Sequence, residues 1–108
     1  MVENAIITTI QKYLAALAPA GIHASKAVLF GSFAKGSANA WSDIDLVVIA
    51  PEFDEQKKLR LIETLWQTTI IDSRIEPIPC GEKEWLTDQS RPILEIARQE
   101  GLVVTAAN

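Results

Sequence analysis

The stretch that most constrains this chain is Asp43-Ile44-Asp45-Leu46-Val47-Val48-Ile49-Ala50, stopped by Pro51. Its last five residues are all apolar, which reads as a strand buried on both faces, the central position in a layered sheet. Two acids open it. Residues i and i+2 of a strand point to one face, about 6.6 Å apart along the chain. Asp43 and Asp45 therefore project side by side, while Ile44 and Leu46 turn the other way. Asp is disfavoured in strands, and two such charges raise each other's pKa unless a cation lies between them. An isolated Asp-x-Asp is as readily an exposed strand start. Joined to a buried strand, it reads as a pair of hard oxygen ligands suited to Mg²⁺, which shares its shell with water and phosphate.

The rest of the chain builds layers around that strand. Ile6, Ile7, Ile10, Tyr13, Leu14 and Leu17 fall on one stripe of a helix over 4–17, ended by Pro19 and Gly21. Residues 26–30 form a short strand ended by Gly31. Residues 32–42 read as a turn and loop, with one helical turn over 32–35. An amphipathic helix over 54–67 carries Asp54 as its N-cap. Ile70-Ile71 and residues 74–78 form a third strand, which Pro77 places at a sheet edge or strand end. Residues 82–87 and 92–99 are helical, and Leu102-Val103-Val104 is a terminal strand or packed tail. The prediction is one α/β (α+β) domain over 1–108, with a small mixed sheet and helices packed mainly on one face.

Composition excludes several classes. The 108 residues are 48% hydrophobic and 22% charged, ordinary for a globular domain. One cysteine rules out an internal disulfide, and one Cys with one His rules out a Cys/His zinc cluster. No apolar run approaches the ~20 residues that span a bilayer, so no membrane association is expected. Met1-Val2-Glu3-Asn4 lacks the positive charge of a signal peptide, and a cytoplasmic location is expected. A net charge of −4 speaks against a surface that holds DNA by counterion release.

The second informative stretch is Phe30-Gly31-Ser32-Phe33-Ala34-Lys35-Gly36. Gly31 after a strand lets the backbone turn sharply and lets another group approach closely. A helical turn beginning at Ser32 presents free N–H groups and a hydroxyl to an anion, and Lys35 and Gly36 extend it. Ser37-Ala38 after Gly36 excludes a Walker A loop. A phosphate cradle beside two carboxylates suits transfer of a nucleotidyl group, which usually needs a further carboxylate on a neighbouring strand. Glu76 is the candidate, since a Glu among Ile75 and Ile78 is costly to bury unless paired or metal-bound. The plain alternative is an exposed edge Glu held by Arg74, and Asp72 is the competing third carboxylate.

Gly31-Ser32, ten residues, Asp43-x-Asp45 and a later strand carboxylate together resemble the nucleotidyltransferase superfamily that includes DNA polymerase beta. The resemblance spans nearly the whole chain and is closest to the small minimal nucleotidyltransferases of bacteria and archaea. It implies that Gly31 and Ser32, with Lys35, Gly36 and Ser42 nearby, bind the nucleotide. It also implies that Asp43, Asp45 and Glu76 are catalytic and hold two Mg²⁺ ions, with ATP or another nucleoside triphosphate as donor. Lys35 stands where relatives often carry Arg, keeping charge without the planar fork. Relatives of this size resemble antitoxins paired with a helical HEPN-type protein, and some transfer AMP onto that partner. The implied alternative is an inactive antitoxin that neutralises its partner by docking. A homo-oligomer is compatible with the sequence. With no segment to spare for an acceptor domain, the acceptor is expected to arrive with another protein.

Other residues read more plainly. His23 is a surface or packing residue, and Cys80 a small buried apolar group. Trp66 and Trp85 pack in the core or its rim, and residues 55–58 form a solvated helix face. Trp41, in the polar loop before Ser42-Asp43, either stacks on a base, meets a partner or lids the core.

Overall fold

A computed structural model describes residues 3–55 and 59–106. Helix α1 (Asn4–Leu17) leads through a 3-10 turn to strand β1 (Lys26–Phe30), and a one-turn helix α2 (Ser32–Lys35) follows. After a loop come β2 (Ile44–Ile49), α3 (Leu59–Gln67), β3 (Ile75–Cys80), α4 (Glu82–Thr87), α5 (Pro92–Glu100) and β4 (Leu102–Thr105). The sheet order is β3-β2-β1-β4. β1 pairs antiparallel with β2 and β4, and β2 runs parallel to β3. The predicted mixed sheet is present, and β3 with its two prolines lies at an edge, where missing N–H donors cost least.

Period-two alternation sorts the strands into two cores. Leu29, Ile44, Leu46, Val48 and Ile75 face α1 and α3. Val28, Phe30, Val47, Ile49 and Cys80 face Leu94 and Ala97 of α5, with Trp85 of α4 beside them. The thicker helical layer is on one face, as expected, but α4 and α5 cover the other as well. That is why β2 is apolar at every position after Asp45. Tyr13 is fully buried on α1, and its hydroxyl donates to Leu65 O at 2.7 Å, tying α1 to α3. Burial pushes that phenol's pKa well up.

Two predicted boundaries are corrected. Ile70-Ile71 belong to a 3-10 turn (Thr68–Ile71), not to a strand. The hydroxyls of Thr68 and Thr69 donate back to Thr64 O and Trp66 O, continuing the helical winding past Gln67. Asp54 stands outside α3, whose described part begins at Leu59. It follows a 3-10 turn (Pro51–Phe53), and its carboxylate accepts the backbone N–H of Lys83 and Glu84, capping α4 across the fold. Most of the predicted solvated run, residues 56–58, lies outside the described residues.

Candidate active site

Parallel pairing of β2 with β3 brings the leading ends of both strands to one end of the sheet. In register, Phe30 of β1 stands beside Asp45, and Asp45 beside Glu76. Asp43 lies just before β2. By alternation Asp45 and Glu76 project on the α4/α5 face, at the end of the row those helices cover. Burial, then the Asp43 charge, raises the Asp45 pKa. Loss of water, then the charges of Asp43 and Asp45 and a side-chain bond to Asp43, raise that of Glu76. The three acids therefore act on one another, as like charges sharing a site must.

Asp72, the rival third carboxylate, is committed elsewhere. Its oxygens accept Arg74 Nε at 3.0 Å and Nη2 at 2.7 Å, and this pairing holds its carboxyl below the usual range. Arg74 is thus bound to Asp72 rather than to Glu76, and its guanidinium lies 5.7 Å from the centre of the Phe33 ring. Both Phe33 and Arg74 line a cavity of ≈ 360 Å³ with Ile6, Ala38 and Asn39.

Gly31 joins β1 to α2 with φ 75° and ψ −151°, a region essentially reserved for glycine. A Cβ there would run into the Asp45 carboxylate. The close approach expected at this glycine is thus made by Asp45. Ser32 opens α2 directly beyond it, and Gly36 closes the turn. Lys35 stands at the end of α2, ion-paired to Glu100 of α5 at 3.4 Å with both side chains largely exposed.

Ser42 has a role the sequence did not suggest. Its hydroxyl accepts the Asn39 N–H at 2.9 Å, and its own N–H donates to Asn39 O at 3.1 Å. Asn39 Oδ1 in turn accepts the Trp41 N–H at 2.8 Å. The pair clasps the loop that leads into Asp43. The Asn-x-x-Ser spacing is the signal that could have announced it, since such side chains bond the backbone of nearby turns. Trp41 is 90% exposed, so it lids nothing.

His23, Cys80 and Trp85 lie toward the other end of the sheet. His23 Nδ1 meets Glu52 Oε2 at 3.0 Å near the trailing end of β2. Cys80 is buried, and desolvation pushes its thiol up to about 12, which leaves it inert. Trp85 lies under the Arg98 guanidinium, and Trp66 is half-exposed on α3.

Among the described residues no three acid, His or Cys side chains stand as a ready-made metal cage. The donor set nonetheless fits Mg²⁺. All three groups are carboxylates, no hydrogen-bond donor among the described residues reaches Asp45, and this ion needs only one or two carboxylates beside water and phosphate.

Residues 7–99 match the family described as Nucleotidyltransferase domain. The chain belongs to that family, whose members use nucleoside triphosphates and divalent metals. Its fold also matches the crystal structure of a provisionally assigned nucleotidyltransferase from Sulfolobus solfataricus. That match has a TM-score of 0.63 at 15% identity and covers 90% of this chain and 77% of the other. No curated protein sequence matches the chain.

Proposed function

We propose that this chain is a minimal nucleotidyltransferase that moves AMP from ATP onto a hydroxyl of a partner protein, in a toxin–antitoxin pair with a HEPN-type toxin. The carrying observation is the convergence of Asp43, Asp45 and Glu76, from the leading ends of two parallel strands, beside the Gly31-Ser32 turn. In this reading Asp43 and Asp45 hold Mg²⁺ and Glu76 completes a second ion's shell. What such ions supply is neutralised phosphate charge and a more acidic acceptor hydroxyl. Ser32 and the α2 N–H groups orient the triphosphate, Gly36 shapes the turn, and Lys35 exchanges Glu100 for a phosphate oxygen. Ser42 acts through the loop that aims Asp43. The acceptor oxygen bonds to the α-phosphorus and the bond to the bridging oxygen breaks. Pyrophosphate leaves, and the acceptor's proton passes to a carboxylate of the cluster.

The test is co-expression with the product of the adjacent gene, followed by intact mass of that partner. A gain of ~329 Da per AMP, lost in the Asp43→Asn/Asp45→Asn double variant, is the expected result, since covalent transfer is what the carboxylate site would serve. A tight complex with an unmodified partner would replace this reading with that of an antitoxin acting by docking alone.

A further inference from the structure

We propose that Trp41 is the stacking surface for the nucleobase of the bound triphosphate, an inference that rests on the nucleotidyl-transfer reading above. Trp41 is the most exposed of the large apolar side chains described, at 90%. Exposure alone would mean little, because scattered apolar residues are normal on surfaces. What distinguishes this one is its mounting. The Asn39–Ser42 clasp pins the loop on both sides of it, and the Trp41 N–H is itself held by Asn39 Oδ1. The backbone that carries the indole is therefore held before any ligand arrives, which lowers the cost of binding there.

Position supplies the second argument. Trp41 precedes Asp43 by two residues, so their Cα atoms are no more than about 7 Å apart. A base lies one ribose away from the phosphates that Asp43 and Asp45 would face through metal, a separation of the same order. The other aromatics do not compete. Phe33 is covered by the Arg74 guanidinium, Trp85 by Arg98, and Trp66 stands on α3. An indole offers a broad π-face that accepts any base, so the site recognises a nucleoside triphosphate by stacking.

Calorimetric titration of the intact chain with Mg²⁺–ATP and with Mg²⁺–tripolyphosphate, which has no base, separates the terms. Trp41→Ala is expected to weaken ATP binding roughly tenfold or more, as loss of one base–aromatic stack does. Trp41→Phe should retain most of the affinity, and tripolyphosphate should bind all three proteins alike. ATP binding unchanged in Trp41→Ala overturns the proposal, and if that variant instead loses a protein partner, the indole is a docking residue. Equal weakening of ATP and tripolyphosphate also overturns it, because the indole would then act on the loop rather than the base. Failure of the unaltered chain to bind either ligand would overturn the nucleotidyl-transfer reading itself.

Discussion

Two carboxylates in this molecule are each wedged against a glycine, and they end in opposite states. Asp45 sits where a Cβ on Gly31 would be, and Asp54 where a Cβ on Gly81 would be. Asp54 meets the backbone N–H groups of Lys83 and Glu84, and those bonds lower its pKa. Asp45 loses water on burial and meets the Asp43 charge, and its pKa is raised. The same steric device thus serves two ends. At the trailing end of the sheet a carboxylate is satisfied by donors and locks α4 onto the turn after β2. At the leading end carboxylates stand near one another and raise one another's pKa, an arrangement a bound cation would relieve.

The largest expected effect tests the leading end. Asp43→Asn with Asp45→Asn should weaken Mg²⁺–ATP binding by more than about 100-fold, since even residues that only support metal ligands cost 10–100-fold when removed. Calorimetry measures it, and a residual affinity near that of the unaltered chain would dissolve the contrast between the two carboxylates. Glycine substitutions come next. Gly31→Ala should destabilise the fold by more than about 1 kcal/mol, through its positive φ and its collision with Asp45, and should abolish nucleotide binding. Gly81→Ala should lower stability while ATP affinity of the folded fraction persists. Chemical denaturation and titration of both variants separate the two outcomes.

Single neutralisations should move stability in opposite directions. Without metal, Asp45→Asn should raise the melting temperature, because the cost of burying its charge and its repulsion by Asp43 are both lost. Asp54→Asn should lower it, because its bonds to the α4 N–H groups lose their negative charge. Both shifting the same way would show that the two sites do not differ in kind.

The pH dependence has the same two signs. The native state holds protons on Asp45 and Glu76 at pH values where the unfolded chain, with carboxyls near ~4, has released them. Stability should therefore rise as pH falls through their raised values. Asp54 and Asp72 have lowered values, so their contribution is full above the ordinary carboxylate range. It is lost as pH falls through their depressed values. Saturating Mg²⁺ should erase the first trend and leave the second. The smallest effect concerns Lys35. Glu100→Gln frees it from an exposed ion pair, worth at most about 1 kcal/mol, and should tighten ATP binding by no more than a few-fold.

Much of this was legible in one dimension. Helix α1 ran over the predicted residues because its apolar stripe is long and ended by Pro19 and Gly21. Strand β2 was readable because a continuous apolar run after two acids has few alternatives. Ile70-Ile71 misled, because short apolar pairs do not announce their winding and the threonine hydroxyls that settle it act locally on the backbone. Asp54 hid its partners for another reason. It precedes an amphipathic segment, as a cap should, yet it caps a helix 29 residues further on. Nothing in its neighbourhood could show that.

Local residue patterns alone told which chemistry was available. Paired acids on a buried strand and a Gly-Ser turn after another are local patterns, and local patterns obey the strand period and the conformational freedom of glycine. Folding selected which acids stand together. Glu76 was the favoured third carboxylate along the chain and Asp72 its competitor. The parallel register set Glu76 beside Asp45, and Arg74 folded back onto Asp72. A side chain's partners are fixed by strand pairing across sequence separations of about thirty residues, and no spacing within one segment encodes that.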